Sequence, residues 1–112
     1  MPTAAMPIDR IFRALSDPTR RRVVERLARS PASVSQLAEP FEMTLPSFLE
    51  HLRVLEECRL VTSTKRGRVR TYALRPEGME RAQDWLARQR ELWEHRLDQL
   101  DDYLLNLKEK RT

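Results

Sequence analysis

The side chains best able to do chemistry are few and scattered. Two histidines, His51 and His95, fall on different predicted helices, and the single cysteine, Cys58, has no second thiol with which to form a disulfide or a zinc-ligand pair. There is no glycine-rich phosphate loop and no nucleophile with an evident base beside it. Turnover is therefore not expected, nor a cofactor, nor a metal ion. What the chain does concentrate is positive charge. Lys65, Arg66, Arg68 and Arg70 surround Gly67 in a stretch, Cys58 to Pro76, that holds six basic residues and no acidic one. Arg10 to Arg29 has seven basic residues against two acidic. Between these blocks Glu39 to Glu57 sets five acids against Arg53, and from Glu77 onward nine acids outnumber seven bases. Charge localised in this way suits neutralisation of phosphates, whereas a membrane-surface protein more often gathers its basic residues on one amphipathic helix. Taken alone, the second block could equally be a solvated hairpin, so the elements around it must decide.

Those elements are legible. Ile8, Ile11, Phe12 and Leu15 recur at helical spacing and stop at Ser16-Asp17-Pro18, where an acidic or hydroxyl cap followed by proline starts a second helix, roughly Pro18 to Ala28. Val23, Val24 and Leu27 of that helix turn inward and its arginines, Arg20 included, largely outward. Ser33 caps a short third helix through Val34, Leu37 and Ala38, closed by Pro40. Thr44 caps a fourth, with Pro46 in its first turn and Phe48, Leu49, Leu52 and Leu55 as its apolar stripe. From Leu60 the pattern changes to two β-prone runs, 60–64 and 69–74, flanking Lys65-Arg66-Gly67-Arg68: a hairpin with a basic tip. Pro76-Glu77-Gly78 opens a long last helix. In it Trp93, Leu97, Leu100, Leu104 and Leu107 alternate steps of four and three, a coiled-coil-like seam.

The expected fold class is thus mostly α with a β-hairpin wing, a winged helix-turn-helix of about five helices. One domain is expected over 1–112, with the helix-turn-helix at about 33–57, the wing at about 60–75 and a C-terminal dimerisation helix at about 77–108. If Phe48 is set at zero and each residue adds about 100°, the apolar stripe centres between Leu52 and Leu49. Ser47 and Glu50 then point the opposite way, towards a DNA groove, with His51 and Arg53 on the flanks. Thr44 and the open N–H groups of the first turn suit a phosphate oxygen. Lys65, Arg66, Arg68 and Arg70 suit the DNA backbone or the minor groove. Glu50 either accepts from cytosine N4 or pairs with Arg53.

The segments FRALSDPTRRRVVERLARSPASVSQLAEPF, MTLPSFLEHLRVLEECRLV and KRGRVRTYAL, in this order over residues 8 to 75, closely resemble the ArsR family of bacterial repressors. The resemblance implies a twofold dimer that pairs the first and last helices and represses transcription until an effector releases it from DNA. Ile8, Ile11 and Phe12 would then join Trp93, Leu97, Leu100 and Leu104 in the dimer interface. The chain departs from the metal-sensing members. Their Cys-x-Cys pair corresponds to a stretch that here reads Ser33-Val34-Ser35, and another ligand set of the family falls on Ala82, Asp84, His95 and Asp98. One imidazole and two carboxylates are a poor set for zinc. His51 belongs to the His-Leu pair typical of the recognition helix, and Cys58 is expected to be a buried, inert thiol. The expected partners are double-stranded DNA with an inverted-repeat operator and a second copy of the chain, with no membrane partner, in the cytoplasm. The alternative is a winged-helix module for protein contact, against which the six uncompensated bases argue.

Overall fold

The computed structural model describes residues 7–110. Its elements are α1 (Ile8–Leu15), α2 (Pro18–Leu27), β1 (Ala32–Ser33), α3 (Val34–Ala38), α4 (Leu45–Glu57), β2 (Val61–Arg66), β3 (Val69–Leu74) and α5 (Pro76–Lys110). The chain divides into two compact units at Ala82/Gln83, within α5.

In the first unit each short helix starts where its sequence supplies a cap. The Asp17 carboxylate accepts the Arg20 N–H at 3.0 Å, and Pro18 occupies the first turn of α2, where a missing N–H costs nothing. Ser33 and Gln36 form a reciprocal capping box on α3. Thr44 Oγ1 accepts the Ser47 N–H at 3.3 Å to start α4. The apolar faces of these helices meet around Ile11, Leu37, Phe48, Leu52, Leu55, Leu60 and Val61, all essentially inaccessible. Cys58 lies buried beside them, and desolvation raises its thiol pKa, so the thiolate is disfavoured.

The sheet has one strand more than the hairpin expected. Its order is β1-β3-β2, all antiparallel, with Ala32 opposite Tyr72 and Ser33 opposite Thr71. Two residues between Ser30-Pro31 and a helix cap carry no alternating pattern, so β1 is invisible locally; β3 supplies its partner. The β3 strand spans the expected 69–74, but β2 runs two residues further than expected, to Arg66 opposite Val69, which leaves a turn of only Gly67-Arg68. Gly67 has φ +63°, a conformation that such a tight hairpin asks of its first turn residue and that glycine adopts without steric cost. Lys65 and Arg66 therefore stand on strand positions, facing opposite sides of the ribbon.

The end of α4 is built against the start of α5. Arg59 adopts φ 62°, with its N–H donating to Glu56 O and the Leu60 N–H to Leu55 O, which is the Schellman arrangement with an arginine where glycine is usual. The Arg59 carbonyl accepts the Gly78 N–H at 3.0 Å, and its guanidinium pairs with Glu77 at 2.8 Å. A Cβ on Gly78 would come within 2.7 Å of Arg59 O and 2.9 Å of Arg59 C, both backbone atoms that cannot step aside alone. Gly78→Ala is accordingly expected to destabilise the first unit by about 1–3 kcal/mol, as overpacking does elsewhere. Urea denaturation followed by circular dichroism measures it, and an unchanged midpoint would show that this junction yields freely.

The second unit is the rest of α5, helical through Lys110. Trp93 is 63% exposed, and Leu97, Leu100, Leu104 and Leu107 lie on the same seam, also exposed. A helix with an apolar stripe left in water is not in its lowest free-energy environment.

Candidate nucleic-acid interface

Helix α4 does not turn the face outward that its apolar pattern suggests. Leu49 was expected in the buried stripe and is 41% exposed instead, whereas Val54 and His51 are half-buried beside Phe48, Leu52 and Leu55. At about 100° per residue, the covered arc runs from Val54 through His51, Leu55 and Phe48 to Leu52. Its opposite centres on Arg53, flanked by Leu49, Pro46 and Glu50. Ser47, expected near the centre of the open face, falls instead between Val54 and His51 on the covered arc, though at the start of the helix it remains exposed and shares a hydrogen bond with Thr44. The difference arises because the start of α2 claims His51 and the core claims Val54, tertiary contacts that α4's own pattern does not encode.

His51 is held inward by the α1–α2 corner. Its Nδ1 lies 3.1 Å from an Arg20 guanidinium nitrogen and 3.7 Å from the Asp17 carboxylate. Arg20 in turn donates to the Ala14 carbonyl at 2.7 Å and the Arg13 carbonyl at 3.1 Å, closing the last turn of α1. Although burial alone would raise it, the Asp17 pKa is lowered overall, chiefly through the Arg20 N–H, with the Arg20 charge adding to it. Arg20 was read as an outward arginine. It is instead the strut between α1 and α4, and its only local signal is its place three residues after the capping Asp17. His51, expected on the flank of the groove-facing side, makes its hydrogen bond with Arg20 instead, away from the open face.

The open face of α4 carries paired charge. Arg53 Nε donates to Glu50 Oε2 at 3.0 Å, and its terminal nitrogens bind Glu50 and Glu57. Of the two readings of Glu50, the ion pair with Arg53 is the one present. The pair lowers the Glu50 pKa, chiefly through the Arg53 hydrogen bond, and raises that of Arg53 for the same reason. All three side chains are more than half exposed, so the pairing is worth little to stability. It does mean that α4 presents a neutralised arginine.

The wing carries free charge next to α4. Among the described residues Lys65, Arg66 and Arg68 form no ion pair or side-chain hydrogen bond. Arg70 differs. Its guanidinium donates to Ser63 Oγ at 2.8 Å, and Ser63 donates to the Glu56 carboxylate at 3.2 Å, tying β3 across β2 to α4. On the same side Tyr72 is buried, and desolvation raises its pKa. The expected basic set thus separates into three free cations at the hairpin end and one arginine, opposite Lys65, whose side chain reaches back to Ser63 and through it to α4.

The expected dimer residues also separate. Ile11 is fully buried in the core of its own unit, so its side chain has no surface left to offer a partner. Ile8 and Phe12 are half-buried against that core, and Leu97, Leu100, Leu104 and Trp93 are exposed. Among the described residues no group of three or more His, Cys, Asp or Glu side chains is placed to hold a metal ion. No helix there is long and apolar enough to cross a membrane.

This arrangement has known counterparts. A helix-turn-helix domain model matches residues 15–64, from the end of α1 to the middle of β2. A crystal structure of the ArsR family transcriptional regulator RHA00566 superposes with a TM-score of 0.74 at 52% identity, covering 77% of this chain and 94% of that one. The chain belongs to the ArsR family. This ArsR-family protein is a transcriptional regulator and not an enzyme, and its mostly helical fold with a winged hairpin is the family's. It is 44% identical over 71 residues to the HTH-type transcriptional regulator Rv2034 of Mycobacterium tuberculosis, a match spanning 63% of this chain and 66% of that regulator, just under two thirds of its length. It is 27% identical over 79 residues to the transcriptional repressor SdpR of Bacillus subtilis, covering 70% of this chain and 88% of the repressor.

Proposed function

We propose that this regulator is a cytoplasmic, homodimeric repressor that binds an inverted-repeat operator and carries no cysteine metal site. The observation that supports it best is the trio of unpaired wing cations, Lys65, Arg66 and Arg68, on the hairpin that directly follows α4. Three positive charges held without carboxylates close by are matched by a polyanion and by little else. In this reading α4 enters the major groove, Thr44 and Ser47 at its start meet a phosphate, and Glu50 with Arg53 faces base edges. The wing holds the adjacent backbone, Arg70 sets its angle, and His51 with Arg20 fixes the angle of α4.

The second copy follows from α5. Trp93, Leu97, Leu100, Leu104 and Leu107 cannot be covered by a lone helix, and a twofold partner offers the same seam. Ile8 and Phe12 supply the α1 part of that contact. Ser33 and Ser35, standing where metal-sensing relatives place thiolates, offer only hydroxyls, and so the repressor would answer to a signal other than a thiophilic metal.

Selection of bound duplexes from a random pool tests this reading. It should return an inverted repeat whose half-sites are about 10 base pairs, or a multiple of that, apart from centre to centre. Recovery of unrelated sequences, or of none even at low ionic strength, would overturn it.

A further inference from the structure

The groove side of α4 is unexpectedly apolar. Leu45 is 54% exposed and Leu49 41%, about 40° apart on successive turns with Pro46 beside them. Neither leucine is covered by the rest of its unit, and the polar residues next to Leu49 in sequence and one turn on, Glu50 and Arg53, already bind each other. Single exposed leucines are ordinary on protein surfaces. Two on adjacent turns at the leading end of a helix followed by a wing with three unpaired cations are a surface with a direction: the cations select a polyanion, and the leucines select what it must show between its phosphates.

We infer that Leu49, with Leu45 one turn before it, reads thymine C5-methyl groups in the major groove. The inference rests on the DNA-binding reading above and names the edge that reading leaves open. Of the groups exposed in the major groove the thymine C5-methyl is the one protruding apolar group, where cytosine has only C5–H; guanine, cytosine and adenine present donors and acceptors that a leucine would strip of water without replacing the bond. Leucine therefore gains at thymine and loses at the other bases. With its carboxylate held by Arg53, Glu50 gives up little of that discrimination, and serine or threonine hydroxyls could not supply it.

Deoxyuridine differs from thymidine by this methyl group alone, so it isolates the contact without altering the protein. With a duplex recovered by selection, replacement of each thymine in turn by deoxyuridine should weaken binding about fourfold at one or more positions in each half-site, the factor for burying one methyl-sized group. The Leu45→Ser/Leu49→Ser double variant should bind the thymine and deoxyuridine duplexes equally. Because both side chains are exposed it should fold, which its urea denaturation midpoint checks. Wild-type protein indifferent to deoxyuridine at every position would overturn the inference. So would selected half-sites without thymine, or a double variant that discriminates as the wild type does. Failure to bind any duplex would instead defeat the DNA-binding reading, and this inference with it.

Discussion

Replacing Leu97 and Leu100 by aspartate is expected to leave the protein monomeric at micromolar concentration and to cut its operator affinity by at least about 100-fold. Both leucines lie about half exposed on the α5 seam, so the change costs the isolated chain little. In a twofold dimer the substitutions act at four places. Burial of each leucine contributes about 1.5–3 kcal/mol, so about 6–12 kcal/mol is removed before the repulsion of four buried carboxylates is counted. A dimer with micromolar dissociation constant is held by only about 8 kcal/mol. Dissociation should be complete. The loss on DNA follows because two linked half-site contacts exceed one by about 10²–10⁴ in effective affinity. Light scattering reads the first effect and fluorescence anisotropy with a two-half-site duplex the second. A wild type that is itself monomeric would refute the dimer, and a variant that stays dimeric would place the interface elsewhere.

The second large effect is expected at the wing. Arg66→Ala with Arg68→Ala should weaken binding to every duplex alike, and should reduce the slope of log affinity against log salt by about 2 units per wing, about 4 for a dimer, since each neutralised phosphate contributes about 0.9. The two guanidiniums are unpaired, so no ion pair within the protein is broken when they meet phosphate and displace its counterions, and no partner is left unsatisfied when they are removed. Arg53→Ala makes the instructive contrast. That guanidinium already binds Glu50 and Glu57, and its loss leaves two free carboxylates on the groove face. It should change sequence preference and affinity with far less change in slope. If the wing variant keeps the wild-type slope, the backbone contacts lie elsewhere, and the basic arginines of α2 become the next residues to replace.

Specificity and affinity thus occupy different elements. In the proposed complex the wing's charge is indifferent to sequence, whereas α4 would meet the bases with two leucines and an internally neutralised pair. Such a helix gains little from electrostatic attraction of its own. It depends on the wing to be brought to DNA and on the Arg20–His51 strut to arrive at the correct angle. The strut also explains why a histidine in the recognition helix need not touch a base: with Nδ1 against Arg20, its role is to join α4 to the α1–α2 corner.

Much of this was legible in the chain itself. Asp17, Ser33 and Thr44 are caps by their chemistry, Pro18 and Pro46 are tolerated only in a first turn, and Gly67 between basic strand residues asks for a tight hairpin. Local bonds of this kind involve residues three or four apart, so a linear reading can find them. The charge blocks and the heptad steps of α5 are likewise properties of order alone, and together with the resemblance they were enough for the family. What the tertiary structure decided was which face each helix spends. Phe48, Leu49, Leu52 and Leu55 look alike as letters, yet Leu49 is left in water because α2 brings Arg20 and Asp17 to His51 and turns α4 about its axis. Ile11 is consumed by the core, and β1 exists only because β3 passes beside Ala32 and Ser33. Pairings between elements far apart in sequence set these outcomes, and a periodicity that fixes a helix's apolar stripe to within one residue cannot say which edge of that stripe a neighbour will cover.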